Sequence, residues 1–283
     1  MTPYLSRRII IQNQIGILTD TQENTPKDLD VKAVRLALSG RTIGHNIVYH
    51  RTMGSTMDEC RRLADENWPE GLVVIAEEQT SARGRFNRFW VNRPGESLSL
   101  SVLLRPSVEQ LHYVNMAATL AVFNTIKPLV NRNTSIKWPN DVRVGGLKIS
   151  GILIETDSGI SAVQYAVVGI GINIGRPITE SPEIIGKATS IDAETDKYFE
   201  RTQIMIDLLR NFDDLYTGVT QGNSLTEEWS SQLDTIGRRV EVRWGDRLIK
   251  GFARKVDEQG NLILYQQDGS TVTVVGGEVT LQV

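Results

Sequence analysis

The texture of the sequence changes near Ile236, and that change limits the folds open to it. Upstream, Ile204, Leu208, Leu209, Phe212, Leu215 and Tyr216 form one apolar stripe at helical spacing, which predicts a core-facing helix. Downstream the helical period vanishes. Residues 239–244 and 247–256 flank Gly245-Asp246, and residues 262–266 and 271–275 flank Asp268-Gly269. Both dipeptides suit tight hairpin turns. A module of this length is small for independent stability, so it is expected to pack on the main body. The chain is therefore read as a poorly patterned segment 1–28, a larger unit 29–235 and a small β-barrel unit 236–283.

The larger unit mixes both periods. Residues 29–38 read as a short helix ended by Ser39-Gly40. Residues 72–76 read as a buried strand, and 97–104 as a strand with Leu and Ser alternating. Residues 108–130 are apolar at helical spacing. Residues 135–137, 142–144 and 147–155 are strand candidates, with Gly145-Gly146 as a hairpin turn. A longer strand over 163–174 is interrupted by Gly169 and Gly171. The fold class expected is α+β (α/β), a mixed sheet flanked by helices with the small barrel behind it.

Several function classes are set aside by composition. The 31 Lys+Arg against 34 Asp+Glu give a net charge of −3, with no general drive toward nucleic acid or anionic membranes. The lone Cys60 forms no internal disulfide and reads as a small buried thiol. His45, His50 and His112 lack zinc-site spacing. Arg7-Arg8-Ile9-Ile10-Ile11 begins like a signal peptide, but Gln12-Asn13-Gln14 ends the apolar run. No stretch approaches the roughly 18 apolar residues of a membrane span. A cytoplasmic protein, monomer or homodimer, without nucleic-acid or membrane partners, is the expectation.

Five segments carry possible chemistry. The first, Gln79 to Trp90, places Arg83, Arg85 and Arg88 around Gly84 just after a buried strand. Guanidinium groups match phosphate and carboxylate geometry, and Gly84 permits close backbone approach; a solvated basic loop has the same composition. Lys137-Trp138-Pro139-Asn140-Asp141 sets a lysine, an amide and a carboxylate at a turn. These suit phosphate and magnesium, or an ordinary turn. Lys148 interrupts the apolar run 147–155. Strict alternation puts it on the face of Ser150, opposite Ile149 and Gly151. Gly169 and Gly171 strip one sheet face of side chains, as for a flat ligand, and without a third glycine they are no dinucleotide fingerprint. Last, Thr56 and Glu59 fit a helix capping box before the stripe Met57, Cys60, Leu63 and Ala64, with Ser55 beside it for a polar ligand head.

Taken in order, the Ser-Thr helix start, RGRxxRxW, KWPND, GLKxxGIL(x)E and GIGIN resemble the biotin protein ligases. The resemblance runs from about Leu29 to the end of the chain and includes the final Gly276-Gly277-Glu278-Val279-Thr280-Leu281. It implies a class II synthetase-like catalytic domain plus an SH3-like barrel. It also implies an ATP-dependent ligase of the single-function type, since the segment before Leu29 is too short for a winged DNA-binding domain. Such an enzyme makes biotinyl-5′-AMP and passes biotin to a lysine of a biotin carboxyl carrier protein.

The resemblance also implies site residues. Ser55, Thr56, Met57 and Gln79 would line the biotin site. Arg83, Gly84 and Arg85 would fold over biotin and adenylate, with Arg88 and Trp90 near the nucleotide. Lys148 would bridge the biotin carboxylate and the α-phosphate. Lys137, Asn140 and Asp141 would support phosphates and Mg2+, and Asn173 would sit near the phosphates. Gly151, Gly169 and Gly171 would leave room for biotin. The family often has glycine where this chain has Ala82 and Asn87, and asparagine where it has Met57. Rival readings are a lipoate or octanoate transferase, a biotin-responsive repressor and a biotin-binding module without catalysis.

Overall fold

The computed structural model describes residues 28–158, 163–175, 185–195 and 197–281; the expectations for residues 1–27 lie outside them. In chain order the elements begin α1 (Val31–Ala37), β1 (Ile47–Met53), α2 (Thr56–Asp65) and β2 (Val73–Gln79). A single 3-10 turn, Arg85–Asn87, precedes β3 (Ser97–Leu104), α3 (Leu111–Ile126), β4 (Thr134–Lys137) and β5 (Asp141–Val144). Then come β6 (Leu147–Ser158), β7 (Val163–Asn173), α4 (Ile191–Thr195), α5 (Arg201–Thr220) and α6 (Thr226–Ser231). The chain ends in β8 (Arg239–Trp244), β9 (Arg247–Val256), β10 (Leu262–Tyr265), β11 (Thr271–Val274) and β12 (Glu278–Leu281).

Seven strands form one sheet in the order β1-β2-β3-β7-β6-β5-β4. Only β1 and β2 pair in parallel, so the sheet is mixed as expected. The two faces are built differently. Alternate β3 residues Leu98, Leu100, Val102 and Leu104 join the main core with α3 and α5. Helix α3 is buried almost all round, which its uniformly apolar sequence demands. On the other face α2 packs Met57, Cys60, Leu63 and Ala64 against Leu72, Val74, Leu103 and Val167. Cys60 is fully buried there, and burial pushes its thiol up to about 12. That face also carries the site.

The expected capping box does not form. Ser55, not Thr56, is the N-cap, and its own side chain makes no capping hydrogen bond. The Glu59 carboxylate turns to Arg62 instead. Strand β1 and helices α4 and α6 were not legible in the sequence. Strand β1 mixes apolar and polar residues without clean alternation, and α4 and α6 are each a turn or so long.

The second sheet has five antiparallel strands in the order β11-β10-β9-β8-β12. Gly245 has φ +58° and Gly269 φ +84°, the left-handed backbone a tight turn requires. Its inner residues Val240, Val242, Ala253, Leu262, Leu264 and Val274 share the main core. Two tryptophans fasten it there. Trp138 Nε1 donates to Gly260 O at 2.9 Å, and a Cβ at Gly260 would stand 2.6 Å from Met116 Cε and 3.2 Å from Trp229. Trp229 Nε1 in turn donates to Thr119 Oγ1 of α3 at 2.9 Å. No helix among the described residues is long and apolar enough to cross a membrane.

One buried ion pair joins distant segments under the sheet end. Arg201 Nη1 of α5 lies 2.8 Å from Glu77 Oε2 of β2, with side chains 4% and 2% exposed. Glu77 Oε1 also accepts from Leu29 N at 2.9 Å. Removing one member of a buried pair takes away the charge that offset the other's desolvation. Glu77→Ala should therefore lose about 3–5 kcal/mol in chemical denaturation, whereas an exposed carboxylate such as Asp246→Ala should change stability by under about 0.5 kcal/mol.

Candidate active site

The sheet face under α2 is floored by small residues. Ser99 of β3 pairs with Gly171 of β7, which pairs with Gly151 of β6. Ser101 pairs with Gly169 in the next row. The room left by the glycines is taken up by protein in this structure. A Cβ at Gly171 would stand 2.4 Å from the Trp90 indole, and one at Gly169 2.7 Å from Met57 Sδ. Trp90 and Met57 are thus walls of the trough.

Lys148 does not obey simple alternation. The β5–β6 register slips between Val142 and Arg143, so that Val142 faces Ser150 while Arg143 faces Lys148. This β-bulge turns Lys148 to the side of Gly151; a Cβ at Gly151 would lie 2.9 Å from Lys148 Nζ. Ile149 and Ser150 are fully buried, and Ser150 Oγ donates to Gly171 O at 2.7 Å. Lys148 Nζ pairs with Asp141 Oδ1 at 2.7 Å and lies 5.5 Å from the Trp90 ring centre.

At one end of the trough a polar chain organises α2. Ser101 Oγ donates to Thr56 Oγ1 at 2.8 Å, and Thr56 Oγ1 donates to Gln79 Oε1 at 3.1 Å. Gln79 Oε1 also accepts from Thr56 N at 2.8 Å. Thr56 and Gln79 are therefore brought together, with Ser55 buried beside them.

Arg83 is not poised as a free phosphate clamp. Its Nε and Nη2 donate to Glu155 at 3.0 Å, and Nη1 and Nη2 donate to Asp58 at 3.0 and 2.8 Å. Those bonds, Glu155 first and Asp58 second, raise its pKa. The sequence reading missed both carboxylates, although Glu155 closes an apolar strand and was a visible signal. Arg61 is also hydrogen-bonded to Glu155.

The other cations gather near Lys148. Arg85 Nη1 donates to Asn140 Oδ1 at 3.1 Å, and burial lowers its pKa. Burial also lowers Lys137, opposed by Asp141 and reinforced by Arg143 and Lys148. For both, the cost of burial outweighs the attraction of the carboxylates Asp141 and Glu278 nearby. Asn173 lies farther along the sheet and donates to Thr189 O at 3.1 Å. Among the described residues no three His, Cys, Asp or Glu side chains could hold a metal ion.

The loop from Thr80 to Glu96 is folded on itself. Gly84 N donates to Arg88 O at 2.7 Å, and Trp90 N to Ala82 O at 3.1 Å. Phe86 adopts φ +58°, and it and Phe89 are exposed. Arg88 pairs with Glu278 of β12 at 2.6 Å.

The segment 49–173 matches the family model for the biotin/lipoate A/B protein ligase family. Residues 235–281 match the biotin protein ligase C terminal domain. The biotin--[acetyl-CoA-carboxylase] ligase of Mycobacterium tuberculosis is 33% identical over 273 residues, covering 93% of this chain and 98% of that protein. The chain belongs to the biotin protein ligase family. The bifunctional ligase/repressor BirA of Bacillus subtilis is 30% identical, covering 86% of this chain and 77% of that one. Among solved structures, biotin protein ligase from Aquifex aeolicus in complex with biotin and ATP superposes with a TM-score of 0.71. It is 25% identical and covers 84% of this chain and 98% of its own.

The Arg88–Glu278 pair is largely exposed, so it contributes at most about 1 kcal/mol to stability. Its effect should be local. Glu278→Ala is expected to leave the melting temperature within a degree or two while trypsin cuts the 83–88 loop severalfold faster under native conditions. Unchanged cutting would show that the pair does not hold the loop.

Proposed function

We propose that this chain is an ATP-dependent biotin protein ligase that forms biotinyl-5′-AMP and transfers biotin to a lysine of a biotin carboxyl carrier protein. The observation that carries the reading is the place of Lys148. It stands where the small-residue trough meets the cations Arg85 and Lys137. An acid lying in the trough brings its carboxylate to the same ammonium group that meets the nucleotide phosphate. The match of the last segment to the biotin ligase C-terminal model favours biotin over lipoate or octanoate.

In this reading the biotin head meets Ser55, Thr56, Gln79 and the Gly84 backbone. Thr56 Oγ1 already spends its proton on Gln79, so it offers a lone pair to a ureido N–H. Met57 and Trp90 wall the ring and chain, and Gly151, Gly169 and Gly171 keep the floor flat. The biotin carboxylate oxygen attacks the α-phosphorus of ATP, and pyrophosphate leaves. Lys148, Arg85 and Lys137 offset the gathering negative charge, with Asn140 holding Arg85. Arg83 steadies the loop through Asp58 and Glu155. Arg88 and Asn173 flank the nucleotide side.

Asp141, paired with Lys148 in this structure, is the carboxylate that would hold Mg2+, and one carboxylate plus phosphate oxygens suits that ion. When bound, the ion supplies positive charge along the triphosphate. The mixed anhydride is then attacked at its carbonyl carbon by the acceptor amine, and AMP leaves. The chain's own residues serve to bind, neutralise and exclude water, and no protein nucleophile is required.

The test is biotin-dependent exchange of pyrophosphate into ATP, with lipoate and octanoate in parallel. Exchange is expected with biotin alone, and Lys148→Ala should reduce it at least about tenfold, as for a lost charge-assisted contact. Exchange with another acid but not biotin would discard the substrate. Arg85→Gly should still form adenylate but release it faster than wild type, read by filter retention of labelled biotinyl-AMP.

A further inference from the structure

The serines of β3 do not share one fate. Ser97 Oγ exchanges hydrogen bonds with Arg93, at 3.2 Å from its N and 3.1 Å from its O. Ser101 Oγ is spent on Thr56. Ser99, between them and 2% exposed, has a buried Oγ with no hydrogen-bond partner. A buried hydroxyl left unpaired destabilises the protein that carries it. Its persistence in an otherwise satisfied ladder points to a partner that arrives from outside.

The register fixes where that partner lies. Ala76, Ser99, Gly171 and Gly151 form one row across β2, β3, β7 and β6. Directly paired residues point to the same face, with Cβ atoms about 4.5–5.5 Å apart. The face is identified by the Trp90 indole, whose Nε1 stands 2.7 Å from the Cβ position of Gly171. That Nε1 is also buried without a partner. Two unsatisfied hydrogen-bonding groups, one hydroxyl and one indole N–H, therefore flank the same stretch of trough.

Resting on the reading of the trough as the biotin site, we infer that Ser99 is a specificity-determining residue whose hydroxyl donates to the thioether sulfur of biotin. Thr56 and Gln79 take the ureido end, and Lys148 at the Gly151 end takes the carboxylate. The row position of Ser99 falls between these ends. The polar atom that biotin carries between its ureido group and its carboxylate is the ring sulfur. Sulfur is a weak acceptor, so the contact tunes discrimination rather than supplying most of the affinity. Trp90 shares the trough and closes the same stretch from the loop side.

The test compares biotin with desthiobiotin, which lacks the sulfur, in pyrophosphate exchange by wild type, S99A and S99T. In S99A the KM for biotin should rise about fivefold, the size of one ordinary hydrogen bond. The KM for desthiobiotin and for ATP should not move, so the preference for biotin shrinks by the same factor. S99T retains a hydroxyl and should recover part of that preference. Unliganded S99A should melt no lower than wild type, because it loses an unpaired polar group. An equal loss for both acids would overturn the assignment to sulfur. A lower melting point with unchanged biotin KM, or an S99A chain that does not fold, would make the hydroxyl structural and overturn it as well. Failure of wild type to use biotin would strike the reading of the whole site; losses absent only in S99A strike Ser99 alone.

Discussion

The structure depends on the two-residue pleat of β3. Leu98, Leu100, Val102 and Leu104 face one way into a dry core with α3 and α5. Ser97, Ser99 and Ser101 face the other way, beside Asn173, Gly171 and Gly169. A shift of one residue in register would exchange these sets and bury the serines in hydrocarbon. The same alternation thus secures the fold and reserves a low, polar floor for a ligand. Helix α2 then needs to cover only part of that floor, and it brings Thr56 and Met57 to its edge.

Charge is distributed with similar economy. The cations near the trough fall into two groups. Arg83 is neutralised within the protein by Glu155 and Asp58. Arg85 and Lys137 are held partly buried and depressed, which favours any anion that enters. Lys148 stands between the regimes. Its partner Asp141 is close enough to keep it oriented, and an arriving carboxylate or phosphate can compete for it. Arg83 is therefore tied to carboxylates of α2 and β6, whereas Arg85 and Lys137 are more buried and Lys148 keeps its ion pair with Asp141.

Much of the sheet was legible because its strands are strongly apolar or cleanly alternating. The limits of 97–104, 239–244 and 247–256 coincide with β3, β8 and β9. Strand β1 escaped because Tyr49, His50, Arg51 and Thr52 break any apolar rhythm. The side of Lys148 was misjudged for a geometric reason: a bulge at one residue reverses alternation and leaves no mark in composition. The capping pattern at Thr56 was present but unused, because Gln79 and Ser101, distant in sequence, compete for the hydroxyl. The carboxylates around Arg83 come from α2 and β6, so their convergence is a property of the sheet order and not of any local motif.

The ion pair between Arg88 and Glu278 spans 190 positions of the chain. Its arginine is synthesised early and its carboxylate among the last residues of the second sheet. During translation the loop over the trough is therefore made long before the group that anchors it. The loop acquires this restraint only when β12 is in place. The order of synthesis thus makes this restraint one of the latest of the loop's contacts to become available.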